Sequence, residues 1–154
     1  MFKKIMNKKL LKNQKGLTLI ELLAVIVILA IVAAIAIPAI GNIISNSKDK
    51  AILSDAAGVL AGAKIAIADG ACGDASQATV TCDLTVLKDV YDGDNLITGD
   101  QVVYTKSDKK YTITFNELTK IKNISKFTVG TSFIPSTTTT TITDKDLNKA
   151  MGNK

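Results

Sequence analysis

One carboxylate stands out among the side chains that could do chemistry, because Glu21 lies inside an apolar run from Leu17 to Ile40. A charged group in a membrane-spanning helix costs about 2.5–3.5 kcal/mol at the bilayer centre, and less near an interface, so it usually has a partner. The run contains no basic residue. A cut between Gly16 and Leu17 would create an α-amine four residues from Glu21, on the same helix face. Proteolysis would therefore supply the missing positive charge.

Other groups suited to catalysis or metal binding are sparse. The chain has no histidine, the commonest general base and metal ligand, and no Ser/His, Cys/His or paired-carboxylate arrangement indicates a reaction. We therefore expect no enzymatic activity and no cofactor. Asp92, Asp94 and Asp100 could offer oxygen ligands to calcium, but their spacing lacks the alternation and terminal glutamate of a known calcium loop. Solvated turns without metal are the preferred interpretation, since Asp-Gly is common in turns.

Positive charge is concentrated at the start of the chain. Residues 1–16 contain six lysines and no acid, and the remaining residues hold 13 lysines against 14 acids, a formal charge of −1. This later part has no arginine and no sustained basic stripe that could neutralise phosphates. Nucleic acid is therefore not expected as a direct main partner.

The mainly apolar segment from residue 17 to residue 40 is long enough to span a membrane. At about 1.5 Å per residue it gives a helix of roughly 36 Å, which exceeds the hydrocarbon core. The lysines before it predict a cytoplasmic N-terminus, with the residues after about 41 outside. One alternative is a cleaved secretory signal, with AIA at 34–36 as its cleavage site, and another is an ordinary uncleaved anchor. Both leave Glu21 unexplained.

The segment KGLTLIELLAVIVILAIVAAIAIP resembles the N-terminal motif of type IV pilins and pseudopilins. The shared features are a basic leader ending in glycine, a cut before the apolar run, and Thr and Glu at the second and fifth mature positions. The likeness covers about residues 12–45, although the family most often has Phe at the place of Leu17. It implies that a prepilin peptidase cuts after Gly16 and methylates the new amine of Leu17. It also implies that Glu21 neutralises this amine, within the subunit or on a neighbour, as subunits enter a helical filament.

Pro38 removes a backbone donor and clashes with the preceding turn, so it predicts a kink or a local opening of the helix. The resemblance implies that a proline at this place lies beside a stretch that can melt in assembled pili. This chain has no glycine between Leu17 and Pro38, unlike many relatives. Melting and a simple kink near the membrane exit both stay open.

Beyond residue 41 the apolar residues keep a helical spacing to about Ala68, which predicts an amphipathic continuation packed on a globular head. Asp69-Gly70 supplies a stop signal, because glycine suits the left-handed cap. Gly58 and Gly62 form a small-xxx-small pair. Packing of a sheet residue against this pair is preferred over docking of another helix.

Cys72 and Cys82 are separated by nine residues in a part of the chain that the topology places outside the cell. A disulfide closing this loop is predicted, with a contribution of about 2–3 kcal/mol, and two free thiols are the alternative. No histidine or third cysteine is present to complete a zinc site.

The rest of the head is predicted to form an antiparallel sheet. DLTVLKDVYDGDN at 83–95 indicates a short capped helix or an irregular stretch, and QVVYT at 101–105 and YTITF at 111–115 indicate two strands around a turn. Further strands are predicted in SKFTVGTSFI at 125–134 and in TTTTTIT at 137–143. The threonine run could instead be disordered or O-glycosylated. DKDLNKAMGNK at 144–154 is interpreted as a frayed last helical turn.

These features predict an α+β, pilin-like fold, with a long N-terminal helix packed on a small antiparallel sheet. The expected domains are a cleaved leader at 1–16, a transmembrane or filament-core half-helix at 17–40, an amphipathic half-helix at 41–69 and an extracellular head at 70–154. The expected location is the cytoplasmic membrane, with a single pass and the N-terminus inside, and then a pilus on the cell surface.

The resemblance implies a structural subunit of a type IV pilus. Its partners would be other pilin subunits in a filament, a prepilin peptidase and methyltransferase, the assembly platform in the cytoplasmic membrane, and the membrane itself before assembly. A pseudopilin of a type II secretion or competence DNA-uptake system is the first alternative, because the N-terminal motif does not separate the two. A membrane-anchored binding domain that never polymerises is the second.

Overall fold

The computed structural model describes residues 18–74 and 76–152. The predicted leader, including Gly16, and Leu17 lie outside the described residues. A 50-residue helix, α1, runs from Leu19 to Ala68. The chain divides after Asn42 into two compact units, so α1 begins in the first unit and ends in the second.

The C-terminal end of α1 is fixed by a glycine cap, as the sequence predicts. Gly70 has a φ of +78°, which glycine adopts without a steric penalty. Its N–H donates to the carbonyl of Ile67 at 3.2 Å, and the N–H of Ala71 donates to the carbonyl of Ala66 at 2.9 Å. These two bonds form a Schellman motif, which satisfies carbonyls that a helix end otherwise leaves free.

The second unit contains a four-stranded antiparallel sheet in the order β1-β2-β3-β4. One face of this sheet lies against α1, since Sγ of Cys82 is 3.8 Å from the carbonyl oxygen of Ala63. Nζ of Lys64 also lies 4.9 Å from the ring centroid of Tyr111 on that face. The predicted α+β, pilin-like fold is therefore confirmed. The strands are β1 (Thr79–Cys82), β2 (Gln101–Thr105), β3 (Lys110–Thr114) and β4 (Thr141–Thr143).

The core of the second unit lies between α1 and this face of the sheet. Alternation along the strands sends every second side chain inward, and the helical period places one stripe of α1 opposite them. The burial of these apolar side chains is the main force that holds the helix to the sheet. The side chains with no exposed surface include Leu53, Ala56, Val59, Ala63, Cys82, Leu87, Val102, Ile113, Phe115 and Leu118.

A short helix, α2 (Leu84–Val90), begins at an aspartate cap. The Oδ1 atom of Asp83 accepts the N–H groups of Thr85 at 3.1 Å and Val86 at 3.3 Å, and the Thr85 hydroxyl at 2.6 Å. The bond from the Thr85 hydroxyl and the bond from the Val86 N–H lower the pKa of Asp83. Of the two alternatives for 83–95, the structure has the capped helix over Leu84–Val90.

The end of α2 packs against Gly58 and Gly62, so the expectation of a sheet residue at this pair is wrong. A Cβ atom at Gly62 would stand 2.7 Å from the carbonyl oxygen of Val90. A Cβ atom at Gly58 would stand 3.0 Å from the ring of Tyr91. Gly62 therefore lets the backbone at the end of α2 approach α1 closely, and Gly58 leaves room for the ring of Tyr91.

Gly62→Ala is expected to lower the free energy of unfolding by about 1–3 kcal/mol, because the backbone carbonyl of Val90 must shift. Gly58→Ala is the matched control: the Tyr91 ring can rotate away, and alanine gains up to about 1 kcal/mol in helix propensity. Urea unfolding of the detergent-solubilised protein, followed by tyrosine emission, measures both variants. Equal stabilities would contradict this account of the contact.

The predicted strands agree with the structure in part. QVVYT forms β2, and YTITF forms β3 with a shift of one residue. The threonine run contributes only its last three residues, in β4. The strand β1 is not among the sequence predictions, although it pairs with β2 along its whole length.

Two predictions for the last third of the chain are wrong. The segment 125–134 forms no ladder strand, because Ile124–Phe127 make a short helix, α3, and an isolated bridge joins Val129 to Phe133. Residues 144–154 do not start as a frayed turn, because helix α4 (Asp144–Ala150) buries Leu147 in the core. A 3₁₀ helix, Asn116–Lys120, follows β3.

Cys72 and Cys82 form a disulfide, with Cα atoms 4.8 Å apart. Reduction is expected to lower the free energy of unfolding by about 2–3 kcal/mol, because an open loop of this length returns chain entropy to the unfolded state. Urea midpoints with and without dithiothreitol measure this effect. The doubly substituted Cys72→Ala/Cys82→Ala protein serves as a control that should not respond to the reductant. A wild-type midpoint unchanged by full reduction would contradict the prediction.

Candidate functional site

Glu21 lies in the first turn of α1 and forms a reciprocal cap with Thr18. Its Oε2 atom accepts the backbone N–H of Thr18 at 3.1 Å and the Thr18 hydroxyl at 3.2 Å. In return, the N–H of Glu21 donates to the Thr18 hydroxyl oxygen at 3.3 Å. This arrangement is a capping box, which satisfies donors that the start of a helix leaves free. The T-x-x-E spacing in the sequence is a direct signal for it, beside the charge argument made for Glu21.

The start of α1 also favours a carboxylate on electrostatic grounds. The aligned peptide dipoles of a helix place about half a positive charge at its N-terminus. Glu21 is the sole ionisable side chain between residue 16 and Lys48. The cap therefore holds an isolated negative charge at the backbone nitrogen of Thr18, one residue after the predicted cleavage site.

The first unit presents an apolar surface that the described residues do not cover. Its most apolar 18-residue window has a mean hydropathy of 3.1, and none of that window is buried. Length and composition suit α1 for crossing a membrane. A surface of this kind requires lipid or other protein around it. The large exposed side chains are Leu19, Ile20, Leu22, Leu23, Val25, Ile26, Val27, Ile28, Leu29, Ile31, Val32, Ile35, Ile37 and Ile40.

Of the other site residues predicted from the sequence, the structure describes Pro38, Cys72 and Cys82. Pro38 lies inside α1, with helical residues on both sides, and its kink stays a prediction. Cys72 and Cys82 are in the second unit. The cleavage site, Gly16 and Leu17, lies outside the described residues, so its roles stay predictions.

A buried carboxylate that the sequence analysis missed joins α1 to the segment after the 3₁₀ helix. Asp49 is 1% exposed. Its Oδ1 accepts the N–H of Lys122 at 3.0 Å, and its Oδ2 accepts the N–H of Asn123 at 2.8 Å. The side-chain amide of Asn123 also donates to Oδ1 of Asn46 at 2.7 Å. The two bonds from the backbone of Lys122 and Asn123 satisfy both oxygens of the Asp49 carboxylate, which would otherwise be costly to bury.

Asp100 is not a solvated turn residue, so that part of the sequence interpretation is wrong. It is 1% exposed, and its Oδ2 accepts the N–H of Ile97 at 2.8 Å. Its Oδ1 accepts the N–H of Asn116 at 2.8 Å and the side-chain amide of the same residue at 2.7 Å. The carboxylate thus ties the start of β2 to the end of β3. Asp92 and Asp94 are exposed, as expected for turn residues.

A pocket of about 370 Å³ lies beside this acidic turn. Tyr91 lines this pocket. Burial raises the pKa of its hydroxyl, and the negative charge of Asp55 raises it further. Within residues 18–74 and 76–152, no three His, Cys, Asp or Glu side chains are placed to share a metal ion. The pocket is lined by Lys88, Tyr91, Asp92, Gly93, Asp94 and Leu96.

A long apolar helix that opens on a capped carboxylate, followed by a small antiparallel sheet, defines a pilin-like α+β protein. Residues 11–37 match the prokaryotic N-terminal methylation motif. This is the prepilin signature of type IV pilins and pseudopilins, and it implies processing by a prepilin peptidase and assembly of the pilin kind. No curated protein and no solved structure was found to match the chain.

The matched range includes the predicted cleavage site, Glu21 and most of the exposed apolar surface of the first unit, and it ends before the second unit begins. The signature is typical of structural subunits. It is shared by pilus subunits and pseudopilins, so the distinction between them depends on other observations.

Proposed function

We propose that this chain is the precursor of a type IV pilus subunit, which is cut, methylated and polymerised through its apolar helix. The observation that carries the proposal is the Glu21 carboxylate, held at the N-terminus of α1 within a matched prepilin signature. A carboxylate at this depth in an apolar helix needs a cation, and cleavage before Leu17 makes one.

In the proposed processing step, a prepilin peptidase at the cytoplasmic face cuts after Gly16 and methylates the amine of Leu17. Cleavage leaves this amine on the residue next to Thr18, whose own N–H already binds the carboxylate. The capping box therefore aims Glu21 toward the new cation before the cut is made. Neutralisation follows within the same subunit, or with the amine of a neighbour in the filament.

Assembly then replaces lipid around the exposed face of the first unit with the helices of other subunits. A subunit added out of register would leave its carboxylate and its amine unpaired in an apolar core. Such burial of an unpaired charge costs several kcal/mol, whereas the paired arrangement is tolerated. Glu21 thus serves as a registration device as well as a counter-charge.

The domain limits follow from the same proposal. Residues 1–16 are the cleaved leader, 17–40 form the membrane and filament-core part, 41–69 the outer part of the helix, and 70–154 the extracellular head. The N-terminus stays in the cytoplasm, because the lysines precede the apolar run. An external head is supported by the disulfide between Cys72 and Cys82, since disulfides persist in oxidising compartments.

The first experiment is intact mass measurement and N-terminal sequencing of the protein from membranes and from sheared surface material. A chain that begins at methylated Leu17 in both fractions supports a pilus subunit. The same chain in membranes alone supports a pseudopilin, which makes a short fibre. A chain that begins at Met1 or near Ile37 would overturn the proposal in favour of an anchored or a secreted domain.

A further inference from the structure

Most residues on the face of the sheet turned away from α1 are threonines, which occupy seven of its ten outward positions. Pairing in the register Thr81↔Val103↔Thr112↔Thr143 places these four residues on one face, opposite Cys82 and Ile113. We name the outward residues of the four strands the threonine face. Its threonines are Thr79 and Thr81 from β1, Thr105 from β2, Thr112 and Thr114 from β3, and Thr141 and Thr143 from β4.

The threonine face is accessible, in contrast to the face that packs on α1. None of its side chains is buried, and Thr79, Thr81 and Thr141 are exposed. Among the described residues, the Thr143 hydroxyl donates to Asp146, and the hydroxyls of the other threonines of this face have no hydrogen-bond partner. The face therefore carries free groups that can both donate and accept.

Charge is almost absent from this surface. Lys110, at the end of β3, is the sole charged residue among the ten outward positions of the four strands, although 21% of the chain is charged. Charged side chains protect a surface from contact with its own copy, because juxtaposed like charges cost several kcal/mol. Such protection is missing here.

We propose that the threonine face is the surface through which subunits of neighbouring filaments contact one another, face to face; this rests on the proposed pilus function. A hydroxyl is both donor and acceptor, so two identical threonine faces satisfy each other, which two lysine or two aspartate faces cannot do. Their β-branched methyl groups are compact enough to interdigitate between stacked sheets about 10 Å apart. A two-fold contact of this kind uses the same patch on both copies.

The size of the patch explains why the partner is a filament rather than a single subunit. Four strands spaced about 4.8 Å apart, with three to five residues each, give a footprint of roughly 300 Å². A stable pair needs about 800 Å² per partner. One contact is therefore too weak to hold a dimer, but a contact repeated along two filaments gains avidity. We expect isolated subunits to stay apart and assembled filaments to form bundles.

The test compares filaments sheared from cells that make the wild type with filaments of Thr81→Lys/Thr112→Lys. The bundled fraction, scored by electron microscopy and low-speed sedimentation, is expected to fall at least tenfold, a rough estimate from lost avidity, while total filament mass is unchanged. Thr98→Lys/Thr137→Lys is the matched control, because both positions are exposed and lie outside the strands. Thr81→Ser/Thr112→Ser, which keeps the hydroxyls, should bundle like the wild type.

Bundling of the Thr81→Lys/Thr112→Lys filaments at the wild-type level would overturn the inference, and so would an equal loss in the Thr98→Lys/Thr137→Lys control. A different result would be unbundled wild-type filaments with the added mass of hexose on peptides that contain residues 79–81 or 112–114. That result would overturn the inference and assign the face to glycosylation. Single wild-type filaments that co-sediment with insoluble polysaccharide would assign it to a glycan surface. A complete lack of sheared filaments would contradict the proposed pilus function, which separates that failure from failure of the contact.

Discussion

Surface filaments are expected to be absent from cells whose only copy of this chain carries Glu21→Gln, although the leader is still removed. Glutamine keeps the shape and the acceptor oxygen that hold the capping box with Thr18. It lacks the negative charge that would pair with the amine of Leu17. Breaking a buried ion pair by removing one partner costs about 3–5 kcal/mol, so addition of each subunit weakens by roughly 100-fold to 1,000-fold or more.

The measurement combines sheared-filament yield with mass spectrometry of the membrane fraction. Processed Glu21→Gln protein should accumulate in membranes while the sheared fraction is empty. Two controls separate charge from other effects: Glu117→Gln makes the same chemical change in the head, and Thr18→Val removes the cap hydroxyl but keeps the charge. Glu117→Gln should leave filaments unaffected, and Thr18→Val should reduce their yield only modestly. Normal filaments on Glu21→Gln cells would refute the assigned role of the carboxylate.

The features that the sequence predicted well are those with local causes. The end of α1 depends on Gly70 and on two hydrogen bonds within six residues of chain, and Asp83 caps α2 through its next neighbours. The strands β2 and β3 are rich in β-branched and aromatic residues and flank a short polar turn, which is a signal contained in about fourteen residues. The charge argument for Glu21 needs only the composition of the run around it.

The features that the sequence did not predict depend on contacts between distant segments. The strand β1 has only four residues, and its partner β2 begins after the whole of α2. The segment 125–134 has strand-like composition, but Gly130 takes a φ of +53° and turns the chain back, so that Val129 bridges Phe133. Local propensity is overruled there because Phe127 and Phe133 are buried.

The burial of Asp49 and Asp100 could not be predicted either, because these carboxylates have hydrogen-bond partners that are distant in the sequence. Asp100 lies in a polar turn sequence, and its burial arises from Asn116, which is 16 residues away. Asp49 lies on a polar stretch of α1, and its partners are 73 and 74 residues away. A single sequence contains no pattern that links positions so far apart. The carboxylate and the backbone groups it satisfies come together only when the fold forms.

Asp49→Ala is expected to lower the free energy of unfolding of the head by about 3–5 kcal/mol, the largest stability effect we expect from one side chain. Two backbone N–H groups lose a charged acceptor at once, and hydrogen bonds to charged groups contribute about 1.5–3 kcal/mol each. The lost hydrogen bonds are those that join α1 to Lys122 and Asn123. Because Asp49 is buried, water does not replace them. The three tyrosines of the chain are all in the head, and tryptophan is absent. Urea unfolding of the full chain in detergent, followed by tyrosine emission, therefore reports the head alone.

Asp49→Asn should recover only part of this loss. Its amide oxygen can accept one of the two N–H groups, but its NH₂ group faces the other one, and two donors do not bond. We expect an intermediate stability, about 1–3 kcal/mol below the wild type. Asp89→Ala, an exposed aspartate of α2, is the matched control and should change stability by less than about 0.5 kcal/mol. An Asp49→Ala protein as stable as Asp89→Ala would contradict the prediction. The bonds to Lys122 and Asn123 would then not fix this segment to the helix. The packing of Phe127 and Leu118 would have to do so instead.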